Sequence, residues 1–456
     1  MFNGGYRMEA SSAMDASSRW KGFPTFGVAW HLGEEEFIKR LGFISLIKIR
    51  YSWGQSGNAP SGTSPYIGTF EAVTPGYGDM NAVKPASPDL THLKYETITS
   101  NNIGVDFGLF SDKVNFTFEL YKKVTDDLLQ KKMKVPSSTG LSTVAWYNSG
   151  KIQNKGWEFN IDIAAVKTKD WSFNFGFNIS QNKNEILELP ENKNDELYTF
   201  GNKNYAYSVM MGDPLGSFYG YRYKGVYQNV EETYAVNTSG QRILDIDGNP
   251  VVMKNGDQKV YPGDARYEDV NGDGVIDEND IVYLGNSNPT LTGGLNFTLR
   301  YKKVSLVAAF HGRAGQKVIN QARMDMENMR GKNNQSVAVL RRWRSEGDDT
   351  DIPRALYDKG YNYLGSDRFV EDASFLRLKT VTLKYQMPAK WMKAIGVNKL
   401  ELYATGYDMF VWTKYKGQDP EVNLKAANDG TVAQVAIDSN NTPKPFKIAF
   451  GLNLNF

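Results

Sequence analysis

The sequence predicts an all-β protein, a transmembrane antiparallel β-barrel wall with tight turns at one end and long extracellular loops at the other. Three observations lead there. Segments of about ten residues alternate large apolar side chains with amides, hydroxyls and glycines, the period-two pattern of a half-buried strand. The connections between these segments are alternately short and long. Strand-forming aromatics and turn-forming glycines abound, with 26 Tyr, 24 Phe, 9 Trp and 43 Gly in 456 residues. No run of ~18 apolar residues offers a membrane-spanning helix. The mean hydropathy of −0.49 resembles that of a soluble protein, yet alternation averages away the apolar face of a membrane strand.

The chain opens within a strand over 2–12, where Phe2, Gly4, Tyr6, Met8 and Ala10 alternate with Asn3, Gly5, Arg7, Glu9 and Ser11. A chain that begins inside a strand reads as a fragment. Further strands are expected at 23–31, 46–54, 100–110 and 114–123, the last with Val114, Phe116, Phe118 and Leu120 on one face. Next come 156–166, carrying Trp157, Phe159, Ile161 and Ile163, and 171–181, carrying Trp171, Phe173, Phe175, Phe177 and Ile179. The remaining strands are expected at 290–301, 304–312, 372–386, 399–410 and 445–456, which makes twelve. FLRLKTVTLKY, within 372–386, keeps no clean alternation and predicts a bulge. The final segment, PFKIAFGLNLNF, sets Phe446, Ile448, Phe450, Leu452, Leu454 and Phe456 against Lys447, Ala449, Gly451, Asn453 and Asn455.

Only a few residues separate strands around Ser111-Asp112, Lys167–Asp170 and Lys302-Lys303, whereas the connections at 55–99, 124–155, 182–289 and 313–371 are long. Outer-membrane barrels pair short periplasmic turns with long extracellular loops in this way. The connections at 32–45 and 387–398 are longer than that rule prefers. A soluble β-sandwich is the competing architecture, but its outer face would normally carry charge, whereas the polar face here is Asn, Thr, Gly and Ser. In lipid a sheet cannot keep a free edge, because unpaired N–H and C=O groups find no water there. Twelve strands must therefore close on themselves or pair with others.

A net charge of +2 points to no nucleic-acid partner. The absence of Cys excludes disulfides, thiolate metal sites and cysteine nucleophiles. MFNGGYRMEASSAMD has no basic region followed by an apolar core and is not a secretory signal.

Several stretches resemble one family, the SusC/RagA type of TonB-dependent outer-membrane transporters of Bacteroidetes. They are SSRWKGFPTFGVAWHLGEEEF (17–37), LIKIRYSWGQSGN (46–58), YETITSNNIGVDFGLFSDKVNFTFELYKKVTDDLL (95–129), NSGKIQNKGWEFNID (148–162), DVNGDGVIDENDIVYLGNSNPTLTGGLNF (269–297), FLRLKTVTLKYQMP (375–388) and the terminal strand. The resemblance covers nearly the whole chain and implies the C-terminal part of a barrel of about 22 strands, with the plug and about ten strands supplied elsewhere. It also implies import of oligosaccharides or peptides energised through the TonB complex, and a SusD-like surface lipoprotein as lid. Phe456, the terminal aromatic, would be read by the barrel-assembly machinery.

The sharpest local motif is DVNGDGVIDEND, 269–280. Read as a twelve-residue calcium loop, it places Asp269, Asn271, Asp273, the Val275 carbonyl, Asp277 and Asp280 at the ligand positions and Gly274 at the sharp turn. Calcium takes six to eight hard oxygens, and this spacing supplies them without His or Cys. Asp280 stands where Glu is usual, which shortens its reach, and no flanking helices are apparent. Without a metal the same residues make turns. A structural calcium ion would stiffen a long extracellular loop.

Catalysis finds little support. His31, His92 and His311 are far apart, and no G-x-S-x-G, HExxH or P-loop occurs. An outer-membrane enzyme and an adhesin-like binding module, or a self-contained barrel, are the competing functions. His311 shares the polar register with Ser305, Val307 and Ala309 and is expected to line the lumen. RRWR (341–344) and KYK (414–416) read as solvated loop surface or as contacts for acidic lipopolysaccharide. Trp146, Tyr147, Tyr219, Tyr221 and Tyr223 offer flat faces for sugars, with loop packing the alternative.

Overall fold

Twelve strands form one continuous antiparallel sheet in the computed structural model, which describes residues 1–62, 65–74, 80, 82–141, 143–189, 198–199, 205–207, 210–358, 361–394, 397–426 and 434–455. In chain order they are β1 (Phe2–Ala10), β2 (Trp20–His31), β3 (Ile44–Asn58), β4 (Glu96–Leu109), β5 (Val114–Asp126) and β6 (Lys151–Lys167). The second six are β7 (Trp171–Glu188), β8 (Leu291–Tyr301), β9 (Val304–Ala314), β10 (Phe375–Gln386), β11 (Lys399–Thr413) and β12 (Lys447–Asn455). Each pairs with its sequence neighbours, so the order across the sheet is the order along the chain. All twelve expected segments are strands of this sheet. Among the described residues β1 and β12 each pair on one side only.

The register keeps every apolar row on one face. Phe116, Phe159 and the ring of Phe107 meet across β4, β5 and β6, with centroids 4.7 and 6.2 Å from Phe116. That face is uncovered: Phe2 and Phe450 are each 82% exposed, and Ile448, Leu452, Leu383 and Trp30 are exposed too. An apolar surface this extensive is stable against hydrocarbon and not against water. Trp171 and Tyr301, 4.3 Å apart at the tight-turn end, sit where an interfacial aromatic girdle is expected.

The expected bulge lies at Lys379. Ala309 pairs with Thr380 and Phe310 with Leu378, so Lys379 is skipped, and β11 is irregular at the same level. Several strands run further than the alternation indicated: β3 continues to Asn58, β5 to Asp126, β7 to Glu188, and β6 starts at Lys151. The long connection expected at 182–289 therefore begins only after Glu188. Beyond the hydrocarbon both faces of a strand are wet, so the apolar period stops while the hydrogen-bond ladder continues. At the short end the two longer connections hold compact turns, a 3₁₀ turn at Leu32–Glu34 with a helical turn at Glu36–Lys39, and a helix at Ala389–Ala394.

The dry cores lie in the long connections. One gathers Tyr205, Phe218, Ile319, Met324, Phe369 and Val435, drawn from the β7–β8, β9–β10 and β11–β12 connections. A second, with Tyr227, Ala235, Tyr267 and Ile276, belongs to the β7–β8 connection. A third joins Val318, Ala373, Tyr415 and Ala436, and a fourth packs Met14 of the β1–β2 connection on Phe23 and Tyr95.

Candidate functional site

Two regions carry concentrated polar chemistry: the inner face of the wall, and the cap that the long connections build over its extracellular end.

On the inner face Arg50 of β3 reaches across two strands. Its Nε donates to Asp106 of β4 at 3.2 Å and its Nη2 to Glu119 of β5. Asn102 and Thr117 donate to the same two carboxylates at 3.0 Å each. One cation thus lies between two anions, each with a neutral donor, and the half-exposed group carries net negative charge into the lumen. Gly104, opposite Arg50 in register, lets the guanidinium lie flat: an added Cβ would stand 2.6 Å from its Cζ.

Nearer the cap, Arg377 of β10 donates to Asp419 at 2.5 Å and lies 3.4 Å from Glu421. Lys379, thrown inward by the bulge, reaches Glu421 at 3.2 Å and Asp408 at 3.4 Å, and Lys444 reaches Glu421 at 2.6 Å. Burial pushes the Glu421 carboxyl up, but the hydrogen bonds from Lys444 and Lys379 outweigh it and hold the group at about 2. Glu421 thereby fastens the β11–β12 connection to the inner wall.

Three of the long connections fold together into one body. Ile319 and Ile437 form a backbone bridge between two connections, and Ala436 N donates to Ser287 Oγ of a third at 2.7 Å. Asp264, fully buried, accepts from Nε and Nη2 of Arg354 at 2.7 and 3.2 Å. Arg323 and Arg368 share Glu327, with Glu371 completing the group.

The residues expected to chelate calcium fold into a tight turn. Asp269 accepts from the N–H groups of Gly272 and Gly274 at 2.8 Å each, and Asp273 accepts from Val275 N at 2.8 Å. Asn271 donates to Asp273, and Asp277 caps the 3₁₀ turn Glu278–Asp280 through Asn279 N. Asp280, with no exposed surface, turns inward to accept from Val270 N at 2.7 Å and Asp277 N at 2.9 Å. Burial pushes its carboxyl above the usual range, and the charge of Asp269 adds to that against those two N–H donors. Ile276 anchors the turn in the second core, and Gly274 takes a positive φ of 85° at its sharp corner. Among the described residues no three His, Asp or Glu side chains are gathered as metal ligands.

His311 occupies the lumenal register, opposite Arg377, with Phe375 edge-on at 5.9 Å. Tyr219 and Tyr221 are buried in the cap, packed on Tyr283 and Tyr267, so their faces serve packing. Trp146 holds Lys131 over its ring at 4.5 Å. Arg344 of the RRWR cluster turns back to the Leu340 carbonyl at 2.8 Å, and Trp343 covers Gly263. Phe456 lies outside the described residues. The Arg50 group, the Glu421 hub and the Asp264–Arg354 pair were missed in the sequence. For the first, the signal was available: Arg50, Asp106 and Glu119 are charges at mid-strand positions on the amide face of adjacent strands.

Residues 1–250, more than half of the chain, match the family model described as TonB dependent receptor-like, beta-barrel. The chain belongs to that family. As a TonB-dependent receptor barrel it is an outer-membrane protein of a Gram-negative cell. It is 31% identical to TonB-dependent receptor P26 of Formosa agariphila over 464 residues, 99% of this chain and 44% of that protein. It is 27% identical to TonB-dependent receptor SusC of Bacteroides thetaiotaomicron, covering 99% of this chain and 41% of that protein. The structure of the RagAB peptide importer in its closed-closed state superimposes with a TM-score of 0.77 at 23% identity, covering 100% of this chain and 46% of that one. This TonB-dependent receptor barrel therefore spans less than half the length of these relatives.

Proposed function

We propose that this chain is the C-terminal half of the barrel of an active outer-membrane importer for oligosaccharides or peptides. A plug and about ten further strands complete it, TonB supplies the energy, and a SusD-like lipoprotein docks on the cap as a lid. The open sheet carries this reading: β1 and β12 each have an unpaired edge among the described residues, flanked by exposed Tyr6, Met8, Ile448 and Phe450. Lipid tolerates no such edge. A pair of substitutions tests it in a chain without native cysteine. Gly4→Cys with Phe450→Cys forms no disulfide under oxidation if other strands intervene, and ready cross-linking within one molecule overturns the half-barrel. Deleting the protein is expected to abolish growth on either an oligosaccharide or a peptide as sole carbon source. Unimpaired growth on both removes the importer reading. Co-purification of a surface lipoprotein checks the lid, and a fall in assembled barrel on Phe456→Ala checks the assembly signal.

The turn at 269–280 we read as a calcium loop that stiffens the cap. Its donors are hard oxygens at the spacing of a twelve-residue calcium loop, and Asp269, Asn271 and Asp273 share one tight turn. Calorimetric titration with calcium is expected to show binding that Asp269→Ala abolishes. A flat wild-type titration leaves a metal-free turn.

A further inference from the structure

On the outer face of the wall the apolar rows end abruptly in lysine. Along β5, β6 and β7 the outward-facing register reads Phe118, Phe159 and Ile179, then Leu120, Trp157 and Gln181. The next row is Lys122, Lys155 and Lys183, three cations directly opposite one another. Like charges in that relation repel across ~5 Å and destabilise a sheet unless something neutralises them. The protein neutralises them only in part. Glu185, one row further out, lies 3.7 Å from Lys155 and 3.6 Å from Lys183, and Lys122 has no ion-pair partner among the described residues. The next carboxylates, Asp126 and Glu188, are occupied by Lys151 at 2.9 and 3.1 Å. The row keeps a surplus of positive charge.

Its position says what would neutralise it. These strand ends lie on the side of the long connections, so the row marks the outer-leaflet border. Trp157, at the last apolar row, donates its indole N–H to Gln181 at 2.6 Å, half in hydrocarbon and half in the headgroup layer. Immediately below the lysines, Tyr51, Ile103, Leu120 and Trp157 line a shallow open groove whose rim is Lys122 and Lys155. An apolar furrow topped by cations is complementary to acyl chains carrying phosphate.

We propose that this patch is a docking site for a phosphorylated glycolipid of the outer leaflet, its phosphates held by Lys122, Lys155 and Lys183 and its acyl chains by the groove. The site lies on the outside of the wall and is separate from the transport path.

The test uses the protein purified in detergent from outer membranes and titrated with bisphosphorylated lipid A, with the same lipid stripped of phosphate, and with inorganic phosphate. Wild type is expected to bind the phosphorylated lipid at least about tenfold more tightly than the K122Q/K155Q/K183Q variant. The stripped lipid should bind wild type as weakly as the phosphorylated lipid binds that variant, and K122R/K155R/K183R should restore affinity. Equal binding of the two lipids by wild type, or no loss in the glutamine variant, overturns the site. Inorganic phosphate binding as tightly as lipid A overturns the lipid assignment. An equal loss in K254Q/K259Q/K332Q, whose lysines are exposed in the cap, would reduce the effect to net charge and overturn it as well.

Discussion

Gly156 shows how much the wall depends on single small side chains. A Cβ there would stand 1.9 Å from the Gln181 carbonyl and 2.7 Å from the Tyr121 hydroxyl, which leans across the strand to Asn182. The same relation recurs at Gly451, roofed by Tyr403 at 2.3 Å. An aromatic laid over a strand glycine fixes register and fills the gap the missing side chain leaves. Gly156→Val is therefore expected to cost about 1–3 kcal/mol through overpacking. The check is a lower denaturant midpoint in refolding followed by heat-modifiable gel mobility, with Gly331→Val, which has open space around it and lies off the wall, as the contrast. On the outward face the decisive quantity is the solvent. Phe450→Lys would place a cation in hydrocarbon and is expected to cost about 2–4 kcal/mol if that level is mid-membrane. Asn453→Lys, in the lumenal register, should assemble as wild type does. Equal yields for the two variants would contradict the assignment of faces.

At the scale of elements, the β11–β12 connection is held to the inner wall by charges that converge on Glu421. Its carboxyl titrates at about 2 in the folded protein against 4.5 for an unhindered glutamate. A folded-state value below the unfolded one means that the stabilisation is complete above pH 4.5 and fades as the pH falls toward 2. A spin label at exposed Asn441 should accordingly become more mobile over that window, and Glu421→Gln should show the greater mobility already at neutral pH. An unchanged label down to pH 2.5 would show that the cores alone hold the connection. The strands themselves were legible because one face meets hydrocarbon, which enforces period two. Their upper ends at Asn58, Asp126 and Glu188 were not, since water on both faces removes the apolar signal while leaving the ladder intact. The bulge at Lys379 was legible as broken alternation, but its consequence, a lysine thrown toward Glu421 and Asp408, was not.

At the scale of the molecule the sheet separates two solvents and the connections supply what a membrane wall lacks, a dry core. Three connections distant in sequence share the cluster around Phe218, Ile319 and Val435, so the cap is a common product of the second half of the chain. The sequence by itself determined twelve strands, their facing, the side that carries the loops and the presence of a turn at 269–280. Those features are local, fixed by alternation and turn chemistry within a few residues. Only the tertiary structure decided which charges meet, Arg50 with Asp106 and Glu119, Arg354 with Asp264, and Lys122 with Lys155 and Lys183. Register between strands and packing between distant connections set those encounters, and neither is written in any one segment.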